Sequence, residues 1–335
     1  MTSFLAPFLE GRPEGLFVPA FDAFLDPPAP AARAILSHAH ADHAVAGHGE
    51  IWATPATIAI YRRRNPDWPG TERPLAYGEE VSQRGATLRL HSAGHVLGSA
   101  QVWLGGAGGD ALLYTGDFKR RPARTCAPAE APRARTLVTE TTFGLPVFRF
   151  PGKDALEERL VAGCREALGD GETPVLLAYA LGKAQEAAAV LAAAGIPTVL
   201  HGAAWKLAPE YAAAGYPLPL SRAYETGPAA PGEALLVPPN CARTPVVRKL
   251  RRRRVFYLSG WAIREAARAE TDADVLVPFS DHADFPDLVR HVEETGASRV
   301  VATHGYAADF ARILAARGIE AEALPESAER AAEEA

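Results

Sequence analysis

Ser37-His38-Ala39-His40-Ala41-Asp42-His43 packs three histidines and a carboxylate into six residues, directly after Arg33-Ala34-Ile35-Leu36. The run before it reads as a buried strand, so the cluster sits at a strand's C-terminal mouth, where α/β layers build their sites. Imidazole and carboxylate are the donors that borderline divalent metals such as zinc prefer. His38 and His40 are spaced to reach one ion, while Asp42 and His43, slightly further on, reach a second. A lone histidine is more often structural than a ligand; four donor residues at H-x-H-x-D-H spacing read as a metal site.

The same arrangement recurs along the chain. Thr87-Leu88-Arg89-Leu90-His91 alternates as a strand and leads into Ser92-Ala93-Gly94-His95-Val96-Leu97-Gly98-Ser99, whose glycines allow a tight turn around His95. Strands 101–104 and 111–114 flank a glycine-rich connection, Gly105 to Asp110, and the second delivers Thr115-Gly116-Asp117. Strand 136–139 delivers Glu140. Residues 15–26 read as a short strand pair, 51–54 as a strand, and Pro55 as the first turn of a helix to Arg64.

From about residue 150 helices and strands alternate: helix 154–168, strand 174–179, helix 182–194, strand 198–200, helix 205–214, strand 234–237, helix 245–252 and strand 255–258. That pattern predicts a doubly wound α/β unit with a parallel sheet. After Trp261 the first pattern returns, with strand 275–278 before Ser280-Asp281-His282, helix 286–294, strand 300–303 before His304-Gly305, and helix 308–317. The expected division is therefore 1–150, an inserted 151–262, and 263–335.

The bulk composition fits this plan. The chain has 335 residues, 48% hydrophobic and 22% charged, enough for two cores, and no apolar run long enough for a membrane helix. The N-terminus lacks the basic start of a secretory signal, and three cysteines without metal spacing point to reduced thiols in a cytoplasm. Two Asn, three Gln and one Met, beside abundant Ala, Arg, Glu and Pro, suggest a thermophile or a GC-rich genome. With a net charge of −5, a polyanion must be held by local basic surfaces. Arg248-Lys249-Leu250-Arg251-Arg252-Arg253-Arg254 is the densest; it reads equally as a phosphate track, with Arg248 and Arg251 as contacts, or as a solvated helix end. Lys119 and Lys183 are the other phosphate candidates. Arg62–Arg64 reads as a helix end, Ser99 as a phosphate contact or a turn residue, and His48, His91, His201 and His291 as structural.

Taken together, Asp26, His38-x-His40-x-Asp42-His43, His95, Asp117, Glu140, His282 and His304 resemble, in order, the motifs of the metallo-β-lactamase superfamily and of its β-CASP nuclease branch. The wording Ser-Ala-Gly-His95-Val-Leu-Gly-Ser-Ala, Ala-Tyr-Ala-Leu-Gly182-Lys183-Ala-Gln, Ser-Asp-His282-Ala-Asp and Thr-His304-Gly-Tyr is similar to bacterial ligase-associated DNA exonucleases. The resemblance implies an αββα metallo-β-lactamase sandwich with an inserted doubly wound α/β cap. It also implies two zinc ions, with manganese as the alternative activating metal. His38, His40 and His95 would hold one, Asp42, His43 and His304 the other, with Asp117 bridging and Asp26 orienting a ligand histidine or its neighbouring loop. The nucleophile would be a hydroxide rather than a side chain. His282 would be the general acid, oriented by Glu140; the alternative is a His–Glu bond that only anchors the cap.

The implied activity is 5′-to-3′ DNA exonuclease in repair, with an ATP-dependent ligase and a helicase as pathway partners and no membrane. The alternative is RNA processing, because a histidine at the position of His304 is typical of RNA-cleaving relatives. A glyoxalase II-like hydrolase shares the ligands but neither the insertion nor the Glu140/His282 pair, and a non-catalytic scaffold would have lost ligand positions. The short tail after His304 leaves no room for the further C-terminal domain of RNase J-type enzymes.

Overall fold

The computed structural model describes residues 5, 7–106 and 108–324. Met1–Phe4, Ala6, Ala107 of the glycine-rich connection and the residues after Leu324 lie outside the described residues. The chain divides into two compact units. The first comprises residues up to 120, 127–149 and from 282 onward; the second comprises 121–126 and 150–281.

In the first unit, β1 (Glu10–Arg12), β2 (Gly15–Val18), β3 (Ala23–Leu25), β4 (Arg33–Ile35), β5 (Glu50–Ala53) and β6 (Thr71–Pro74) form one sheet in chain order. β1 to β3 are antiparallel, and β3 to β6 are parallel. A second sheet begins with β7 (Glu80–Gln83), β8 (Ala86–Ser92), β9 (Ala100–Gly106), β10 (Ala111–Tyr114) and β11 (Thr136–Glu140). The chain then builds the second unit from β12 (Thr173–Leu177), β13 (Thr198–Leu200), β14 (Ser221–Ala223), β15 (Ala234–Val237), β16 (Arg253–Leu258) and β17 (Val275–Val277). It returns with β18 (Arg299–Thr303) and β19 (Glu320–Ala323), completing the second sheet in the order β19-β18-β11-β10-β9-β8-β7.

Strand alternation explains the layering of the first unit, since successive side chains point to opposite faces. Leu112 and Tyr114, Val138 and Val301 face inward, onto a core shared with Val18, Leu25, Ile35 and Trp52 of the first sheet. Leu113, Leu137, Val300 and Ala302 face outward under helices Phe285–Thr295 and Ala307–Ala315. Ala34, Ile51 and Ala53 pack under helix Pro55–Arg64. The result is a helix–sheet–sheet–helix sandwich. Helix Phe285–Thr295 shows how local sequence sets an element. Asp284 caps Asp287 N, Phe285, Leu288, Val289 and Val292 make one buried stripe, and Gly296 ends it at φ 69°.

The second unit's sheet is wholly parallel, in the order β14-β13-β15-β12-β16-β17. Both faces are covered, which is why its strands read as unbroken apolar runs such as Ala234-Leu235-Leu236-Val237. Three expectations fail here. β17 pairs with β16, so the strand before His282 belongs to this unit, which runs to Asp281 rather than to 262. The helix expected over 205–214 is two, Gly202–Trp205 and Ala208–Ala213, because Pro209 lacks the N–H needed to continue the first and suits the start of the second. The helix expected over 245–252 stops at Arg248, and Arg253 already belongs to β16.

The free edges are polar: β6 reads Thr71-Glu72-Arg73-Pro74 and is exposed throughout, β7 reads Glu80-Val81-Ser82-Gln83, and β19 reads Glu320-Ala321-Glu322-Ala323. No helix among the described residues is long and apolar enough to cross a membrane.

Candidate metal centre

Each donor residue of the first unit sits at or just beyond a strand's C-terminal end. His38 to His43 follow β4, His95 follows β8, Asp117 follows β10, Glu140 ends β11 and His304 follows β18. Turn chemistry brings them together. Ser99 Oγ accepts from His95 N at 3.1 Å and Val96 N at 3.2 Å, pinning the bend that carries His95. Ser99 thus acts as a turn residue. Gly94, at φ 71°, lies so close to the next loop that a Cβ would come 2.4 Å from Lys119 O.

His38, His40, His95 and Asp117 form one group whose donor atoms all lie within 4.8 Å of one another. His40 Nδ1 is 3.1 Å from His38 Nε2 and 3.0 Å from His95 Nε2. An imidazole nitrogen carries a single hydrogen or a single lone pair, so His40 Nδ1 cannot serve both neighbours as hydrogen bonds. A cation among the three nitrogens satisfies all of them; two donors on one tetrahedral zinc stand roughly 3.3 Å apart. Burial, then the neighbouring His43, pushes His38 well below the usual imidazole range, leaving it neutral as a ligand must be.

Asp117 Oδ2 lies 3.5 Å from His38 Nε2, 3.5 Å from His43 Nε2 and 3.7 Å from His95 Nε2, so one oxygen faces both histidine sets. Burial opposes its charge, but the surrounding imidazoles, His43 foremost, hold its carboxyl well below the usual range. Behind the centre, Asp26 Oδ1 accepts from Ser37 N at 2.7 Å. Its Oδ2 accepts from Ser37 Oγ at 2.5 Å, Tyr114 OH at 2.9 Å and His43 Nδ1 at 3.0 Å. That last bond turns His43 Nε2 toward Asp117 and toward Asp42 Oδ2, 3.8 Å away. Burial lowers the basicity of His43, yet Asp117, Asp26 and Asp42 outweigh it and raise it to about 10. The proton held there stands where a cation bound by the same acids would replace it. The residues therefore suit divalent metal. Asp42 is exposed, and the His304 ring is centred 5.7 Å from that of His43, with His304 at φ 56° and its Nδ1 3.0 Å from Thr303 Oγ1.

Glu140 and His282 form a further group with Asp117, whose donor atoms likewise all lie within 4.8 Å of one another. His282 Nδ1 is 3.0 Å from both carboxylate oxygens of a fully buried Glu140, which also accepts from Phe118 N at 2.9 Å and Thr142 Oγ1 at 2.6 Å. With Nδ1 bonded to the acid, proton exchange falls to Nε2. The His282 ring is centred 4.8 Å from that of His95.

The lysine candidates fare differently from expectation. Lys119 is only 5% exposed. Lys183 is 4% exposed, with Nζ 3.3 Å from Asp281 Oδ2 and 4.7 Å over the Tyr179 ring, so an acid and a ring face already meet its charge inside the second unit. Arg248 and Arg251 are exposed.

Sequence reading missed Ser37, Tyr114 and Arg64. Arg64 Nη1 donates to Ala39 O at 2.5 Å and so tethers the histidine loop, although Arg62–Arg64 reads as a plain helix end. His291, set down as structural, is fully buried, bonding Gln101 Oε1 at 2.9 Å.

No protein-family model matches the chain. A protein of Opitutus terrae named "Probable DNA ligase" is 37% identical over 313 residues, 93% of this chain and 30% of the relative. "Transcription termination factor FttA" of Pyrococcus abyssi is 40% identical over 160 residues, 44% of this chain and 24% of the relative. An "RNase J-like protein" of Methanocaldococcus jannaschii is 32% identical over 112 residues, 33% of this chain and 26% of the relative. The chain thus spans less than a third of the length of these curated relatives. A solved structure from Enterococcus faecalis V583, titled a protein of unknown function, shares the fold at a TM-score of 0.63 and 14% identity, covering 89% of this chain and 80% of that one. Read with the convergent histidines and Asp117, these relatives place the chain in the β-CASP nuclease branch of the metallo-β-lactamase superfamily.

Proposed function

We propose that the protein is a two-metal phosphodiesterase that degrades DNA from the 5′ end. In this reading the first unit is the metallo-β-lactamase sandwich and the second the β-CASP cap. The observation that carries it is the Glu140–His282 pair, whose imidazole lies one ring from the metal-ligand set. A hydrolase needs to protonate the departing sugar oxygen, and an imidazole fixed by a buried carboxylate does this from Nε2.

Two zinc ions, when bound, supply the positive charge that polarises the phosphoryl group and acidifies water. His38, His40 and His95 would hold one ion and Asp42, His43 and His304 the other, with Asp117, whose Oδ2 faces both histidine sets, available to either. Asp26 keeps His43 in the tautomer that presents Nε2. Glu140 holds the His282 proton at Nδ1 and fixes the ring plane.

The choice of DNA rests on the ligase-named relative, which matches nearly the whole chain and makes a ligation pathway the natural partner. RNA cleavage is the second reading, favoured by the archaeal relatives named for termination and RNase J and by His304. The test incubates purified protein with 5′- and 3′-labelled DNA and RNA strands in zinc, manganese or magnesium. Loss of 5′ label as mononucleotide from DNA is expected; faster cleavage of RNA overturns the substrate, and no cleavage of either overturns the activity. His282→Ala is expected to slow cleavage about 10²- to 10⁴-fold with metal content unchanged. Loss of metal in that variant would make His282 a ligand instead.

A further inference from the structure

The basic run Arg248–Arg254 does not act as one surface. Arg254 is committed to acids, at 3.1 Å from Glu166, 2.6 Å from Asp170 and 2.8 Å from Glu172. Arg252 donates to Asp170 O at 2.5 Å. Arg248 and Arg253 instead line, with Arg243, an open depression of about 210 Å³ on the second unit, together with Val255, Thr271 and the largely exposed Asp272.

The lining has one acid. Asp272 Oδ2 is 2.8 Å from Arg243 Nε, and Arg243 first, with Arg248 further off, holds its carboxyl below the usual range. Three guanidinium groups against one carboxylate leave an excess of positive charge. Arg253 is positioned by donating from Nη1 to Leu250 O at 2.9 Å, which leaves its other N–H groups for a ligand. Arg248 closes helix Pro245–Arg248 and is exposed.

Guanidinium groups that share one lining suit a tetrahedral oxyanion, because their planar forks bond two oxygens at once. The volume is below the roughly 300–1,000 Å³ of pockets that enclose drug-sized molecules, so a phosphate group fits and a whole nucleotide does not. Nothing in the metal centre contributes to this lining.

We propose that Arg243, Arg248 and Arg253 form a phosphate-binding pocket in the second unit, taking free phosphate or the phosphate end of a nucleotide. The pocket stands independently of the nuclease reading, because it requires only a phosphate-bearing ligand. The test is calorimetric titration of the full, zinc-loaded chain with inorganic phosphate and, separately, with a 5′-deoxynucleoside monophosphate. Phosphate taken up at the metal centre is common to all variants and drops out of their comparison.

Arg248→Glu is expected to weaken both ligands at least about tenfold, and Arg248→Lys about threefold, because an ammonium cannot bond two oxygens in one plane. Lys249→Glu carries the same charge change just outside the depression and is expected to alter affinity less than about twofold at 0.15 M salt. A nucleotide that binds more tightly than phosphate identifies nucleic acid as the source, and equal affinities identify free phosphate. Equal losses in Arg248→Glu and Lys249→Glu overturn the proposal in favour of diffuse charge. Unchanged affinity in Arg248→Lys overturns it even if Arg248→Glu fails to fold.

Discussion

Asp26 takes four hydrogen bonds on two oxygens while its own backbone sits at φ 40°. A non-glycine residue in that region costs about 1 kcal/mol, so the surrounding bonds must hold it there. Asp26→Asn keeps the size but removes the charge that fixes the His43 tautomer. Metal affinity should fall about 10- to 100-fold, as for other residues that support ligands from behind; competition against a chelator measures it, and wild-type retention would limit Asp26 to structural support.

His291 gives a second prediction at this scale. It accepts from Arg120 Nη1 at 3.2 Å, donates to Gln101, and Arg120 also pairs with Glu294. Burial, then Arg120, lowers it to about 3. The unfolded chain therefore takes up a proton near pH 6.5 that the folded chain refuses. Stability is whole above pH 6.5 and falls as pH drops toward 3, by at most about 1.4 kcal/mol per unit. In metal-free protein, His291→Gln should lose that much less per unit in urea titrations between pH 7.5 and 5. Identical slopes would show that His291 is already charged when folded. Four candidate donor residues could be named because they crowd into one heptapeptide. Ser37, Tyr114 and Gln101 could not, since their partners stand 11, 88 and 190 positions away.

Among the elements, the loop after β10 is the tightest. Gly116 sits at φ 52° with space for a Cβ only 2.6 Å from Ser37 Cβ and Oγ. Gly116→Ala should destabilise the fold by more than about 1 kcal/mol and displace Asp117, because left-handed strain and a backbone-adjacent clash act together. Urea unfolding and zinc stoichiometry measure the two effects; a shift in neither would mean the loop adapts freely. Most strands were legible from alternation or from apolar runs, including β13 and β15 to the residue. β17 was assigned to the wrong sheet because Val275-Leu276-Val277 precedes a histidine motif like the other donor strands, and parallel pairing leaves no local mark. β6, β7 and β19 went unread because edge strands of Thr, Glu, Arg, Ser and Gln carry no apolar period.

At the scale of the molecule, the centre joins β3, β4, β8 and β10, from both sheets, through Asp26 and the buried His38, His43, His95 and Asp117. Without cations those groups must be held together by protons and hydrogen bonds alone. Stripping metal with a chelator should therefore lower the melting temperature, and zinc at about a thousand times its dissociation constant should restore about 4 kcal/mol. Differential scanning calorimetry with and without added zinc measures it, and coincident transitions would show that the metals are not coupled to folding.

The sheet edges have a consequence for life at high concentration. An exposed strand is a template for strand addition by another chain, and charge or proline on it blocks that. Glu72, Arg73 and Pro74 on β6, and the glutamates of β19, make the margins of the sandwich poor seeds for fibrils. Resistance to strand addition is thus written at the margins of the sandwich, in Thr71-Glu72-Arg73-Pro74 of the first sheet and in the two glutamates of β19 in the second.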